Sequence, residues 1–487
     1  MVSPLTRTTL GACLLLALAA TDRASAQCPD GTPPPCSARH ATPAPNSVAV
    51  LAFVNAAGDT SLDWLGGGLA EEVATQLAGA SGVRVRGAGI VRSAVGAAGG
   101  DPRRVGRLVS VHYVVEGSYR SHGPRVRVSA RLLALPAGDE RWGRVYDRPR
   151  DSLATLSDDI AHDLAATLGS DPGKALRRPP DAAAYELYER GRSFHMRDDD
   201  LTARRLFEQA VRRDSTFALG WVGLANAWGE LADLRLAPLE AYPKAREAAR
   251  RALALDSTVA GAYLPLAYAT ASLDHDCAGG SRLVDRAIAL DSELPDAWSV
   301  RAELLVCLSR GADALDAAQR AWQLDSLSSL TGNYLLFVTA SVAPERLPDA
   351  FTMVRQRLSP TRLAFWAADL ALRRGDCVEA ERLLRPTTAT NMAQQYVKAL
   401  LCLGRRASAD SVVRAFLADT AARYVNTEAV ASALMALGDR DGAMRWLERG
   451  ADERTFWVMG LRTDHQYAPL HDDPRFLALE RRLGLIP

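Results

Sequence analysis

Cysteine is the residue type in this sequence whose chemistry is easiest to anticipate. The chain contains seven cysteines, and Cys13 lies in an apolar stretch near the N-terminus. The other six are an even number, which suits disulfide bonding in an oxidising compartment. No C-x-x-C motif is present, so the sequence gives no support to thioredoxin-like redox chemistry or to a zinc ribbon.

Two disulfide bonds are predicted between neighbouring helical hairpins, Cys277 with Cys307 and Cys377 with Cys402. In each pair the first cysteine begins the second helix of one hairpin, and the other lies near the end of the next hairpin's first helix. In a stack of parallel hairpins these two positions lie on the same edge, one repeat apart, and the Cα atoms must approach within ~7 Å. The alternative is four buried free thiols that act as small core residues.

The remaining motifs favour a protein without catalysis. Gly66, Gly67 and Gly68 precede a helical pattern, where backbone N–H groups could hold an anion. No Gly-Lys-Ser/Thr follows them and G-x-G-x-x-G is absent, so a tight strand-to-helix turn is the favoured interpretation. G-x-S-x-G is also absent. We therefore predict that the chain is not an enzyme and has no catalytic or cofactor-binding residues, and no cofactor.

The histidines do not form a metal site in the sequence. None of the eight belongs to H-E-x-x-H or to a Cys/His ligand spacing. His465 and His471 lie near three aspartates in the only local cluster, which is interpreted as a solvated terminal loop. No metal-binding residues are predicted.

Arginine pairs recur late in the predicted helices or at turns. They are Arg212-Arg213, Arg250-Arg251 and Arg405-Arg406. Positive charge near a helix C-terminus is favourable without any further role. The alternative is that these pairs form a basic lining that receives an acidic peptide.

Residues 1–26 are predicted to be a signal peptide. Arg7 precedes an apolar stretch of 11 residues at 10–20, and Ala24-Ser25-Ala26 forms an A-x-A cleavage site. Such a stretch rises only ~16 Å as a helix, too little for a bilayer core of ~30 Å. The mature protein is expected to begin at Gln27 and to be exported to the periplasm or cell envelope. An uncleaved N-terminal anchor is the alternative.

Residues 27–46 are predicted to be an extended linker. They contain six prolines and cannot bury much apolar surface. Cys28 and Cys36 lie here and are predicted to form a third disulfide pair. The formal net charge of the whole chain is +1, which gives no indication of nucleic-acid binding.

Residues 47–169 are predicted to form a small mixed α/β domain. Residues 47–53 read S-V-A-V-L-A-F, a buried strand, and 63–79 carry apolar residues every four positions, as in a helix. Additional elements are expected as a strand at 83–86, a short helix from Asp101-Pro102, strands at 111–119, 125–133 and 140–146, and a helix at 153–168. Residues 170–181 form a second linker.

Residues 182–487 are predicted to form an all-α array of about eight helical hairpins with a C-terminal cap. The motif A-x-x-x-D-S recurs with its aspartates at 214, 256, 291 and 325, which are 42, 35 and 34 residues apart. A period near 34 with two helices per unit is typical of tetratricopeptide repeats. Each Asp-Ser is expected to end one hairpin and to cap the next helix, and Trp221, Tyr263 and Trp298 to fill the space between hairpins. The predicted fold class is therefore α+β, an α/β domain followed by a solenoid that should fold without it.

The first domain resembles the TolB amino-terminal-like (FlgO-like) domain of bacterial multidomain proteins. The resemblance covers residues 47–169 and depends on S-V-A-V-L-A-F, G-G-L-A-E-E at 67–72, Y-V-V-E-G-S-Y-R at 113–120 and W-G-R-V-Y-D-R at 142–148. Such domains are often followed by tetratricopeptide repeats, as here. Ala52 stands where the family commonly has proline. Relatives often carry a kinase, cyclase or DNA-binding module at the N-terminus, so the signalling output of those modules cannot be transferred.

Two functions remain open at this point. The favoured hypothesis is an exported protein-binding scaffold whose superhelix presents an extended concave surface to a peptide or helix of an envelope protein. The rival is a small-ligand sensor, in which the α/β domain binds a nucleotide or metabolite and the repeats relay the signal; it requires a pocket with convergent polar groups. Peripheral association with a membrane is compatible with both, and no nucleic-acid partner is expected.

Overall fold

The computed structural model describes residues 43–58, 62–171, 180–195, 199–232, 235–385, 393–419 and 424–486. The predicted signal peptide, the Cys28–Cys36 pair and most of the linker at 170–181 lie outside these residues. Residues Ala44–Pro487 form one compact unit. Its fold is α+β, a small mixed α/β domain followed by an all-α solenoid, which confirms the predicted fold class.

The α/β domain contains a mixed sheet with helices on both faces. The strands are β1 (Ser47–Val50), β2 (Val54–Asn55), β3 (Arg84–Val85), β4 (Tyr113–His122), β5 (Arg125–Ala134) and β6 (Asp139–Pro149). The helices are α1 (Asp63–Ala78), α2 (Ala88–Ala98), α3 (Pro102–Leu108) and α4 (Leu153–Thr167). The strand order is β3-β1-β4-β5-β6, and β2 pairs with β4. Strands β3, β1, β4 and β2 pair in parallel, whereas β4, β5 and β6 pair antiparallel.

Helix α1 forms where the four-residue spacing predicts it. Leu65, Leu69, Val73 and Leu77 are all essentially buried, and they pack with α4 against one face of the sheet. On the opposite face α2 and α3 pack against β1 and β4. Helix α2 was not predicted from the sequence, because its apolar residues are interrupted by two glycines that weaken the helical pattern.

The three consecutive glycines lie inside α1, so the predicted strand-to-helix turn is wrong. Phe53 N donates to the carbonyl oxygen of Gly66 at 3.0 Å, and a Cβ at Gly66 would collide with the carbonyl oxygen of Phe53. A Cβ at Gly68 would collide with Glu189 of the repeat array. These glycines therefore permit close packing of α1, and their backbone is already used within the helix.

Within the described residues, sixteen helices between Ala182 and Asp452 pair into eight antiparallel hairpins. They are α5 (Ala182–His195), α6 (Asp200–Arg213), α7 (Ala218–Leu231), α8 (Pro238–Leu255), α9 (Tyr263–Asp274), α10 (Cys277–Leu290), α11 (Pro295–Cys307), α12 (Gly311–Leu324), α13 (Ser329–Val342), α14 (Leu347–Val354), α15 (Pro360–Arg373), α16 (Cys377–Leu384), α17 (Ala393–Cys402), α18 (Arg406–Asp419), α19 (Thr427–Leu437) and α20 (Arg440–Asp452). A last helix, α21 (Pro474–Arg482), follows two 3-10 turns.

The Asp-Ser turns work differently from the prediction. Each aspartate ends a helix, and its carboxylate accepts a hydrogen bond from the backbone N–H two residues later, as Asp214 does from Thr216 at 2.9 Å. It therefore stabilises the turn and does not cap the next helix. Trp221 Nε1 donates to the carbonyl oxygen of Ser215 at 2.9 Å, and Tyr263 and Trp298 make the same contact in the next two repeats. The recurring aromatic residue thus stabilises the preceding turn through a hydrogen bond to its backbone.

Two disulfide bonds join neighbouring hairpins in the structure. Cys277 at the start of α10 is bonded to Cys307 at the end of α11, with a Cα–Cα distance of 6.4 Å. Cys377 at the start of α16 is bonded to Cys402 at the end of α17, with a Cα–Cα distance of 5.6 Å. In each pair the two cysteines belong to hairpins one repeat apart and lie on the same edge of the stack.

We predict that removing the first bridge destabilises the array. Cys277→Ala/Cys307→Ala should lower the free energy of unfolding by about 3–4 kcal/mol, because the bridge closes a loop with a sequence separation of 30 residues. Urea denaturation of the oxidised proteins measures this change. As a control, reduction should destabilise the double variant less than the wild type, since only one bridge remains. Equal stability of the two oxidised proteins would contradict the prediction.

The α/β domain is joined to the array by ionic contacts, one partly buried at Arg192 and one exposed at Arg86. Arg192 of α5 donates to Glu189 at 3.1 Å and also to Glu71 of α1, while only 2% of the Glu189 side chain is exposed. Farther along, Arg86 contacts Glu293 at 3.1 Å, in the turn between α10 and α11. The α/β domain and the repeats also share one hydrophobic core. The prediction that the repeats fold without the α/β domain must therefore allow for the loss of this interface.

Replacing the central arginine tests this interface. Arg192→Met should lower the free energy of unfolding by about 3 kcal/mol, because it leaves Glu189 buried without its cation. Arg190→Met on the same helix is the matched control, since the Arg190–Glu186 pair is 4.0 Å apart and its arginine side chain is 47% exposed. Thermal unfolding of both variants measures the difference. Equal effects of the two substitutions would contradict a structural role for Arg192.

Candidate binding chamber inside the repeat array

The first helices of the hairpins form the inner face of the array. They contact one another along most of its length, and this face borders a partly open cavity of about 1130 Å³, the chamber. Helices α11, α13, α15, α17 and α19 supply half of the lining residues. Leu201, Arg235 and His465 also line the chamber and are exposed to solvent, so they mark its mouth. This volume slightly exceeds the ~300–1,000 Å³ typical of ligand pockets.

The C-terminal segment supplies the remaining wall. The chain reverses at Arg454, whose φ is 63°, and Phe456 then packs edge-on against Tyr268 of α9 with ring centroids 5.1 Å apart. Trp457 packs in the same way against Phe337 of α13 at 5.9 Å. The sequence predicts that this segment caps the last hairpin. Helix α21 does pack against α20, but the residues before it return across the inner face to the middle of the array.

The start of the returning segment contacts the third hairpin. Arg454 Nη1 donates to the His275 ring, 2.9 Å from its Nδ1. Burial and the positive charge of Arg454 lower the pKa of His275 to about 4, so the ring is neutral and can accept this hydrogen bond. The contact joins positions 179 residues apart in the sequence.

A polar network connects this wall to the repeats. Gln466 is its centre: Lys398 Nζ and Ser432 Oγ donate to its Oε1 at 3.2 and 2.5 Å. Gln466 Nε2 in turn donates to Glu428 at 2.9 Å and to Asp464 at 2.6 Å. Both the amide oxygen and the amide nitrogen of Gln466 are therefore satisfied, which fixes the position of the wall.

The terminal histidines belong to this region and do not form a metal site. Asp464 accepts hydrogen bonds from Gln466, Asp473 caps α21, and the ring of His471 lies against Phe476 at 5.6 Å. Across the described ranges, no group of three or more His, Cys, Asp or Glu side chains is placed to hold a metal ion.

Seven of the thirty lining residues are aromatic, although aromatics make up 6% of the chain. They are Phe337, Phe365, Trp366, Phe416, Tyr424, Trp457 and Tyr467. Trp366 Nε1 donates to Asn333 at 2.9 Å, and Phe365 packs edge-on against Trp366 at 5.1 Å. Such rings offer large, rigid apolar surfaces to a bound group. The sequence did not reveal this grouping, because these aromatics come from several hairpins and the C-terminal segment.

Two buried glutamates of the inner face have raised pKa values. Burial raises the pKa of Glu303 to about 8, although Tyr268, which donates to its carboxylate, opposes the change. Burial and the nearby Asp464 raise the pKa of Glu428 to about 7, although Tyr467 donates to Glu428 Oε1 at 2.9 Å. Glu303 is not one of the residues that line the chamber, although Val306, three residues later on α11, is.

The arginine pairs do not line this chamber. None of the six arginines belongs to the wall. Arg213 contacts Asp181 at 2.9 Å, Arg251 contacts Glu247 at 3.0 Å and Arg405 contacts Glu381 at 2.8 Å. They serve ion pairs and helix ends.

The α/β domain offers a smaller hollow to a ligand. Its volume is about 270 Å³, and it lies between β6 and α4. Its ionic groups pair with each other: Asp163 accepts from Arg144 at 2.6 Å and from Tyr146 at 2.5 Å. A sensor needs polar groups that converge on a ligand. The geometry therefore favours the scaffold hypothesis over the sensor.

Comparisons with known proteins give partial similarities. No protein-family model matches the chain. Over 195 residues it is 29% identical to the putative adenylate cyclase 3 of Rhizobium meliloti (strain 1021), covering 38% of this chain and 32% of that protein. The chain thus spans about a third of the length of this curated relative.

Solved structures with similarity to the chain include repeat proteins. A thermophilic TPR protein of Thermus thermophilus is 15% identical, with a TM-score of 0.32, covering 45% of this chain and 100% of that one. Pseudomonas aeruginosa PilF is 15% identical, with a TM-score of 0.32 and coverages of 44% and 95%. These superpositions are partial, and the tetratricopeptide-type architecture is established by the period and the eight hairpins described above. In the part of the chain that the structure describes, no helix has both the length and the apolar character needed to cross a membrane.

We predict that Glu303 makes the stability of the protein depend on pH. Its pKa in the folded state lies above the ordinary value, so its contribution is present at low pH and is lost as the pH rises toward 8. Glu303→Gln should therefore gain stability relative to the wild type between pH 5 and pH 9. Urea denaturation across this range measures the change. The exposed Glu345→Gln is the control, and parallel pH curves for wild type and Glu303→Gln would contradict the prediction.

Proposed function

We propose that this chain is an exported, non-catalytic scaffold that binds a partner protein at the cell envelope by receiving one of its segments in the chamber. The observation that carries the proposal is a chamber of about 1130 Å³ on the inner face of the array, with aromatic side chains from several hairpins in its wall. A solenoid presents a continuous surface of this kind to an extended ligand.

The contacts that the charged side chains of the chamber wall make within the protein support a binding role. Arg373 Nε contacts Asp369 at 2.7 Å, and Lys398, Glu428 and Asp464 all contact Gln466. These groups hold the wall in place, and a catalytic role would require them to reach a substrate. We propose on this ground that the chain acts through binding alone.

We further propose that residues 47–169 are a TolB amino-terminal-like domain that positions the array. Three of the motifs that carry the resemblance form β1, β4 and β6, and the fourth lies in α1, so all of them belong to one sheet and the helix on it. The ionic contacts of Arg192 and Arg86 then fix the orientation of the array relative to this domain.

Export is proposed from two independent features. The N-terminal sequence has the three parts of a signal peptide. The two bonded cysteine pairs suit an oxidising compartment such as the periplasm.

Photo-cross-linking from two leucines tests the binding role. Leu201 is 46% exposed at the mouth of the chamber, and Leu239 is 54% exposed on α8, outside the chamber wall. Each position receives benzoylphenylalanine in the full chain, and cells are irradiated. We expect a discrete cross-linked protein from position 201 and none from position 239, identified by mass spectrometry. The same product from both positions, or none from 201, would contradict the proposal.

A further inference from the structure

We propose that the partner segment in the chamber is uncharged and inserts an aromatic or large aliphatic side chain, while its peptide groups bind Gln395 and Trp457. This inference rests on the proposed function and specifies the chemistry of its ligand. Three properties of the wall support it: its balance of charge, its unsatisfied polar atoms and its paired aromatic rings.

The charges of the wall are balanced among themselves. Three carboxylates, Asp369, Glu428 and Asp464, face three cations, Arg235, Arg373 and Lys398. Asp369 and Arg373 form an ion pair at 2.7 Å, and the network around Gln466 contains Lys398 and the other two carboxylates. Beside these five groups a charged side chain would lose its hydration without gaining a free counter-ion, whereas Arg235 is exposed to solvent at the mouth. An uncharged segment avoids this cost.

Three buried polar atoms of the wall have no partner among the described residues. They are Gln394 Oε1 and Gln395 Oε1, both acceptors, and Trp457 Nε1, a donor. The orientation of the Gln395 amide is defined because its Nε2 donates to Asp369 at 3.4 Å and a carboxylate can only accept. The side chain of Gln395 is only 7% exposed. A ligand that offers both N–H donors and C=O acceptors would satisfy these atoms, and a peptide group has both.

The aromatic residues form two edge-on pairs in the wall. Phe337 and Trp457 form one pair, and Phe365 and Trp366 form the other. Edge-on packing leaves ring faces available for further contacts, and an aromatic side chain makes such contacts favourably. Leu201 extends the apolar surface to the mouth of the chamber. This arrangement favours a large apolar side chain over a small polar one.

Peptide selection on the full mature chain tests the inference. The probe is a phage library of random dodecapeptides, and the tightest peptide is then synthesised and its affinity measured by fluorescence polarisation. We expect the selected peptides to share an aromatic or large aliphatic residue flanked by uncharged residues. Replacing that residue by lysine or by glutamate should weaken binding at least tenfold.

Two variants of the protein test the polar contacts separately from the apolar ones. Trp457→Phe removes the N–H donor and keeps an aromatic ring, so it should weaken binding of the selected peptide about tenfold. Gln395→Leu removes both the unsatisfied Oε1 and the hydrogen bond from Nε2 to Asp369, and it should weaken binding similarly. Its melting temperature is measured alongside, so that a loss of binding is separated from a loss of folding. Trp446→Phe is the matched control, since Trp446 lies on α20 beneath Arg449 and outside the chamber wall. This control should bind as the wild type does.

The outcomes distinguish this inference from the proposed function. Selected peptides that are acidic or basic, or that bind Trp457→Phe and wild type equally, overturn the inference and leave the scaffold role intact. Failure to select any peptide overturns the proposed function itself. Binding of chitotetraose that Trp457→Phe abolishes, with no peptide selected, would show that the chamber takes a glycan and would overturn both.

Discussion

The return of the C-terminal segment across the inner face is the contact on which the binding site depends. A stack of hairpins buries its apolar surfaces only against neighbours, so its inner face alone would be an open groove. Phe456 and Trp457 pack against the inner helices α9 and α13, and Gln466 joins α17 to α19. Together these contacts convert the groove into a walled chamber and hold hairpins distant in sequence at fixed separations.

The α/β domain provides a second constraint on the same array. It contacts α5 through Arg192, and it reaches the turn between α12 and α13, where Ser93 Oγ donates to Asp325 at 3.1 Å. The disulfides act more locally, each joining two successive hairpins on one edge. A binding site built from rigid elements loses little conformational entropy when a ligand enters it, which favours affinity.

Local sequence patterns predicted much of this architecture, and distant contacts account for what they did not predict. The spacing of Leu65, Leu69 and Val73 is sufficient to define α1, because burial of one helix face is a local property. The period near 34 residues is likewise sufficient to predict the hairpins, and to predict which residues of successive hairpins lie on the same edge of the stack. By contrast, the three glycines were interpreted as a turn. They are explained by the close approach of Phe53, from a preceding segment of the same domain, and of Glu189, from the repeat array, and a local pattern contains neither contact. The chamber was not predicted because its wall combines residues from Leu201 to Tyr467, which only the curvature of the array brings together.

The central claim is that the chamber receives a polypeptide segment of a partner. A crystal structure of the mature protein with a bound, selected peptide tests it most directly. The account predicts electron density for the peptide between α13, α15, α17 and the C-terminal segment, with a large apolar side chain against Trp366 or Trp457. Density on the outer helices or along β6, with the chamber free of peptide, would contradict it.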